Sequence, residues 1–272
     1  MDGRTRLILI IVIGMFAAAS CDHSEDSSIP VAPATWIDDD VMRRVTRASP
    51  LPPVPSDATN QYADDPKAAQ LGQWLFHDQR LSGTGTFSCA SCHDPEKQFT
   101  DGLARANTIR EGARHTPSLL NVAHQTWVTW DGGSDSLWAH ALRPMENPDE
   151  MNGDRLSFVH LIASDKALLA AYEQVFGPLG IDVANLPLRG RPGAEPELAQ
   201  AWESLTPDVQ EKVMVLMANV GKAMAAYQRR LSSGETPFDR YVHAFTSGAP
   251  TGEILSPSAE RGMNRFFGRG EC

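Results

Sequence analysis

The chain has 272 residues, of which 42% are hydrophobic and 21% charged, with a formal net charge of −10 at pH 7. That length accommodates one large domain or two small ones, and the apolar share is enough for a buried core. A net charge of this sign argues against a nucleic-acid binder.

The chain opens with Arg4 and Arg6, an apolar run over residues 7–19, then Ser20 and Cys21. The run is too short for a comfortable membrane span of roughly 20 residues and reads as a targeting signal over residues 1–21. An ordinary secretory peptide cleaved near Ala19 is one reading. The other is a lipoprotein signal, because Ala18-Ala19-Ser20-Cys21 resembles a lipobox with Ala18 where Leu is more usual. Either implies export, hence a periplasmic protein, and the second adds a lipid anchor. Residues 22–64 are rich in Asp, Ser and Pro with little periodicity, and read as a flexible tether.

Globular structure is expected from residue 65 to about 250. Asp65-Pro66 supplies an N-cap and an N1 proline, and Ala68, Leu71 and Leu75 then share a helical face. Pieces of helix are expected over residues 149–176 and a surface loop over residues 187–196. A long helix is expected from Thr206-Pro207 to about Leu231, striped by Val209, Val213, Leu216, Val220, Met224, Tyr227 and Leu231. No run of alternating strands stands out. The fold class is all-α.

Between the first helix and the rest stand Cys89-Ala90-Ser91-Cys92-His93. C-x-x-C-H is the attachment signature of a c-type haem: two thiols add to the vinyl groups and the adjacent His supplies the proximal iron ligand. A thioredoxin-like pair would need a βαβ context, which is absent, and a zinc site would need a second ligand pair. Attached haem also agrees with export, since bacterial c-type maturation takes place outside the cytoplasm.

A repeat appears near the end. Ser256-Pro257 opens another helix, and Gly262-Met263-Asn264-Arg265-Phe266 repeats the spacing of Gly72-Gln73-Trp74-Leu75-Phe76. Cys272 then falls where the first cysteine of a second C-x-x-C-H would stand. The expectation is that residues 255–272 begin a second haem domain that the chain does not complete; the rival is that Cys272 is simply the last residue and the similarity chance.

These motifs together resemble the bacterial dihaem cytochrome c peroxidases and their relative MauG. The resemblance runs through Leu71-Gly72, Asp78, Arg80-Leu81-Ser82, the haem motif, Phe99-Thr100-Asp101-Gly102, Arg114-His115-Thr116-Pro117, Trp130-Asp131-Gly132, Glu150-Met151 and Pro237-Phe238-Asp239-Arg240. It implies a cytochrome c-like helical domain carrying the peroxidatic haem on Cys89, Cys92 and His93, with a second haem in the full-length protein. It also implies hydrogen peroxide as substrate and a small electron-donor protein, a cytochrome c or a cupredoxin. Trp130 matches the tryptophan between the haems, and Glu150 the distal acid that moves protons during O–O cleavage, for which a partly buried carboxyl with a raised pKa suits. By composition alone Trp130 reads as a core aromatic, and Glu150 as a solvated carboxylate in the first turn of a helix.

Three positions depart from the pattern. His140 stands where many of these peroxidases have a glutamine; it could shuttle protons, ligate iron as a sixth ligand, or pack. Residues 101–112 contain no histidine, so the displaceable ligand of reductively activated members is missing and the haem is expected to be open, as in MauG. His115 replaces an asparagine that contributes to an inter-domain calcium site whose other contacts would lie beyond Cys272, which leaves calcium open. The remaining functional readings are a plain electron-transfer cytochrome and MauG-like oxidation of a partner protein.

Overall fold

A computed structural model describes residues 38–270. The signal segment, residues 22–37 of the stretch read as tether, and residues 271 and 272 (the latter Cys272) lie outside the described residues. Two units are distinguished, one of residues 1–47 with 255–272, the other of residues 48–254. Among the described residues the structure is helical, with only isolated bridges at Asp94–Thr100 and Val128–Ser134. No helix among them is long and apolar enough to cross a membrane.

The larger unit is built on α2 (Pro66–His77), α3 (Cys89–Cys92), α4 (Leu137–Glu146), α5 (Arg155–Ser164), α6 (Lys166–Phe176), α7 (Pro196–Glu203), α8 (Pro207–Gln228) and α9 (Pro237–Ser247). α1 (Asp39–Ala48) belongs, apart from its last residue, to the smaller unit. Proline begins α2, α7, α8 and α9, where a missing N–H costs nothing. Asp65 caps α2 by accepting from the amides of Lys67 (2.7 Å) and Ala68 (3.3 Å).

α8 is the spine of this unit. Its stripe from Val213 through Leu216, Val220 and Met224 is buried, with α2 on one side and α4 on another. Both crossings are close because each uses a glycine. A Cβ on Gly72 of α2 would lie 2.0 Å from the Ala223 carbonyl oxygen, and one on Gly221 of α8 would lie 2.4 Å from that of Trp138 on α4. Phe76, Leu75 and Leu71 of α2, Met145 of α4 and Leu156, Phe158 and Ile162 of α5 complete the core.

The expected long helix ends three residues early, at Gln228. There Arg230 and Leu231 donate to the carbonyls of Tyr227 (2.9 Å) and Gln228 (3.0 Å), tightening the last turn. Arg229 anchors the chain at this point. Its buried guanidinium donates to the Pro55 carbonyl (2.8 Å) and to Asp64 Oδ1 (2.8 Å).

The tether reading of residues 22–64 is corrected over its described part. Residues 39–48 are helical, and their Val41, Met42 and Val45 are buried. Residues 48–64 form an irregular strap of the larger unit. Asn60 Nδ2 donates to the Lys222 carbonyl (3.1 Å), and Trp138 Nε1 donates to Thr59 Oγ1 (3.0 Å). Single anchoring bonds of this kind leave no periodic trace, so composition reads the segment as free chain. The loop over residues 187–196 is likewise more embedded than expected: buried Asp154 accepts from the Gly190 amide (2.8 Å) and Arg189 Nε (2.8 Å), and Arg191 is buried.

In the smaller unit, α10 (Pro257–Phe267) follows the Ser256 cap, as the repeat predicts. Arg44 Nη1 of α1 donates to the Phe267 carbonyl (3.1 Å), and Val41 lies against Gly268.

Candidate functional site

α3 is a single turn that directly precedes His93. At a spacing of three residues, Cys89 and Cys92 present their sulfurs on one side of that turn. The Ser88 amide donates to Ser91 Oγ (2.9 Å) and the His93 amide to the Cys89 carbonyl (2.8 Å), so both ends of the turn are fixed.

The segment after His93 aims one carbonyl back at the imidazole. Gln98 and Phe99 both take left-handed backbone conformations, with φ of 57° and 60°, which non-glycine residues seldom adopt. The amides of Asp94 and Phe99 close this turn on the Thr100 and Asp94 carbonyls (3.2 and 2.8 Å). The result is a 3.0 Å bond between His93 Nδ1 and the Phe99 carbonyl. A proton held on Nδ1 leaves the Nε2 lone pair for a metal. Phe76 supports the arrangement, its ring 6.5 Å from His93, 6.3 Å from Phe99 and 5.2 Å from Tyr227.

The two sulfurs are unpaired. Burial pushes the Cys89 thiol up to about 12, with the Cys92 charge adding to it. Burial, then the carboxylates of Asp101 and Glu150, pushes Cys92 up to about 11. Thiols so disfavoured as thiolates are poor exchange nucleophiles, which require the anion. They lose nothing by becoming neutral thioethers. Among the described residues no group of three or more His, Cys, Asp and Glu side chains is gathered for a metal ion. Two sulfurs on one turn and an oriented imidazole next to them fit a covalently attached haem.

Burial also pulls His93 below its ordinary value, partly opposed by the carbonyls of Phe99 and Pro117 and by Asp101. His140, on α4, is pulled down by burial first, then by Arg143 and by His93, so its imidazole shares the space of the attachment site and is neutral at pH 7. Its Nδ1 lies 3.5 Å from Ser134 Oγ.

Glu150 is not in the first turn of a helix. It sits in the turn that follows α4, where the Pro144 and Met145 carbonyls of the helix and the Asn147 carbonyl at its cap accept from the amides of Met151 (3.2 Å), Gly153 (2.7 Å) and Asn152 (2.8 Å). Glycine at 153 is required there, since a Cβ would lie 2.5 Å from the Leu81 carbonyl oxygen. That fold-back carries the carboxylate towards Cys92, and Asn147 Nδ2 donates to its Oε1 (2.5 Å).

A profile of the family described as "Di-haem cytochrome c peroxidase" matches residues 66–247. The chain belongs to this family. Haem c is therefore its cofactor class. The di-haem peroxidase relationship extends to individual proteins. The chain is similar to the methylamine utilization protein MauG of Methylorubrum extorquens, at 31% identity over 97% of this chain and 62% of the relative. It is similar to the cytochrome-c peroxidase IdrP1 of Denitromonas iodatirespirans, at 31% identity over 82% of this chain and 49% of the relative. Among solved structures, the diheme peroxidase BthA of Burkholderia thailandensis superposes with a TM-score of 0.56 at 25% identity, over 81% of this chain and 50% of that one. The all-α, cytochrome c-like fold is shared with it. The chain spans about half to three-fifths of the length of these relatives.

Of the residues expected to act in this peroxidase-family chain, Cys89, Cys92 and His93 share one turn, the charge of Glu150 is felt at Cys92, and that of His93 at His140. Trp130 stands apart on a loop closed by the Val128–Ser134 bridge and is 57% exposed, so the core-aromatic alternative does not hold. It leans on the neighbouring segment through Nε1, which donates to the His115 carbonyl (3.4 Å), and its ring meets His115 edge-on at 4.8 Å. Cys272 lies outside the described residues.

Sequence reasoning assigned no role to Asp101, Asn107 or the Phe99 carbonyl. Asp101 was in plain view within Phe99-Thr100-Asp101-Gly102. Its partners are backbone amides, which no residue pattern announces.

Proposed function

We propose that this chain is the peroxidatic half of a haem c peroxidase, which reduces hydrogen peroxide with electrons from a small donor protein such as a cytochrome c or a cupredoxin. The observation that supports the proposal is the electrostatic reach of Glu150 to Cys92, and between His140 and His93, at the turn that fits an attached haem. Bound haem would supply redox-active iron for peroxide chemistry.

The chain's own residues do the rest. Cys89 and Cys92 would hold the macrocycle, and His93, fixed through Nδ1 on the Phe99 carbonyl, would offer Nε2 as the iron ligand. Glu150 takes the proton from the near peroxide oxygen and returns it to the leaving oxygen. Asn147 holds Oε1, which assigns the moving proton to Oε2. Neutral His140 relays protons between Glu150 and solvent. Trp130, at the accessible edge of its loop, would pass electrons from the second haem of the full-length protein towards this one. The segment over residues 1–21 directs export to the periplasm, with Cys21 as a lipid-attachment point.

MauG-like oxidation of a partner protein is the second reading. It is supported by the alignment with MauG over nearly the whole chain and by the missing histidine over residues 101–112. Both readings need an iron face free for an oxidant. In the ferric protein, EPR is expected to show high-spin iron that reacts with peroxide within the mixing time of a stopped-flow instrument. Wholly low-spin, peroxide-inert iron would instead identify an electron-transfer cytochrome.

A further inference from the structure

Asp101 is a carboxylate only 6% exposed, lying between the two arms that hold the attachment site. Towards one arm, it follows two residues after Phe99, whose carbonyl fixes His93. Towards the other, its Oδ2 accepts from the Asn107 amide (3.1 Å), and the Asn107 carbonyl lies 3.4 Å from Cys92 Sγ. Its Oδ1 accepts from the Leu103 amide (3.0 Å). Beside it the Thr116 hydroxyl is buried without a hydrogen bond of good geometry, one residue before Pro117, whose carbonyl borders His93.

We propose that Asp101 is a positioning residue with a second effect: it places a fixed negative charge beside the haem-attachment residues and so would hold the attached iron towards its ferric state. The physics has a definite sign. A buried anion stabilises Fe(III), which carries one more positive charge than Fe(II), and therefore lowers the reduction potential. The carboxylate can be counted on to be ionised. Burial pushes its pKa up, but the Leu103 and Asn107 amides and the Thr116 dipole outweigh that and hold it below the usual carboxylate range. Such a charge favours an enzyme that rests oxidised and meets peroxide in that state. The inference rests on the haem reading of Cys89, Cys92 and His93, and does not require peroxide turnover.

The test uses the full haem-loaded chain carrying Asp101→Asn, which keeps the shape and removes the charge. Covalent haem is quantified after denaturation, and the one-electron couple Fe(III) + e⁻ → Fe(II) is titrated with dithionite and mediators in the absence of peroxide. The expected result is retained haem with a ferrous-to-ferric ratio at fixed potential raised about tenfold, equivalent to about 59 mV for a one-electron couple. An unchanged ratio with haem attached overturns the proposal. Asp101→Glu is measured in parallel. If Asp101→Asn does not retain haem, Asp101→Glu with wild-type haem content and potential upholds the requirement for charge, and loss of haem in both variants assigns Asp101 to folding alone and overturns it. A chain with the expected shift but no peroxide reaction refutes the peroxidase reading without touching this one.

Discussion

Replacing Glu150 by Gln is expected to lower the rate of peroxide reduction by about 10²–10⁴-fold, the usual worth of a positioned general acid–base group. The substitution is close to isosteric, and Gln keeps an oxygen for the bond from Asn147 Nδ2. Haem content and the Soret band should therefore be unchanged while turnover falls. The size of the effect follows from the task. One group must remove a proton from one peroxide oxygen and deliver it to the other, and an amide can do neither. His140 does not replace it, being neutral at pH 7 and so poor at delivering a proton to a leaving oxygen. Full turnover in the Gln variant would remove Glu150 from the mechanism.

The second large effect is on the fold. Gly72→Val places a side chain where even Cβ would lie 2.0 Å from the Ala223 carbonyl oxygen and 3.0 Å from the Met224 nitrogen. Both obstacles are backbone atoms of α8, which cannot rotate away as a side chain can. Overpacking of this kind costs about 1–3 kcal/mol and sometimes more, against a total stability of about 5–15 kcal/mol. At the upper end, Tm should fall by about 6–12 °C in a domain of this size. Because Phe76 on the same helix packs against His93 and Phe99, haem incorporation should fall with it. Gly262, which matches Gly72 in the repeat, has nothing within 4 Å of its Cβ position, so Gly262→Val should leave Tm nearly unchanged. Equal losses in the two variants, read by thermal melts of the same preparation, would mean that the crossing is not what makes Gly72 necessary.

Legibility in the sequence followed the kind of contact involved. C-x-x-C-H was plain because covalent attachment demands contiguous residues. α2 and α8 were plain because an apolar stripe and a capped proline start are properties of neighbouring residues. Glu150 was different: residue by residue, Asn147-Pro148-Asp149-Glu150 reads as the start of a helix, and only the family resemblance gave the carboxylate a role. The structure places it instead in a turn formed from the spent carbonyls of α4, a contact between chain ends of one element that composition does not encode. Trp130 reads as core by residue type, yet it lies exposed at a loop tip. The strap over residues 48–64 escaped notice because isolated bonds such as that from Asn60 to the Lys222 carbonyl span more than 160 residues with no repeating signal. Asp101 escaped because its partners are amides, which every residue but proline possesses.

The functional expectations presuppose that haem is bonded through Cys89 and Cys92. The direct measurement is the absorbance of the exported, purified chain after denaturation and extraction with acidified acetone, read as a pyridine haemochrome. A c-type band that stays with the polypeptide, and disappears when both cysteines are replaced by alanine, is the predicted result. Colourless protein after extraction of the wild-type chain, expressed alongside a working c-type maturation system, would contradict it.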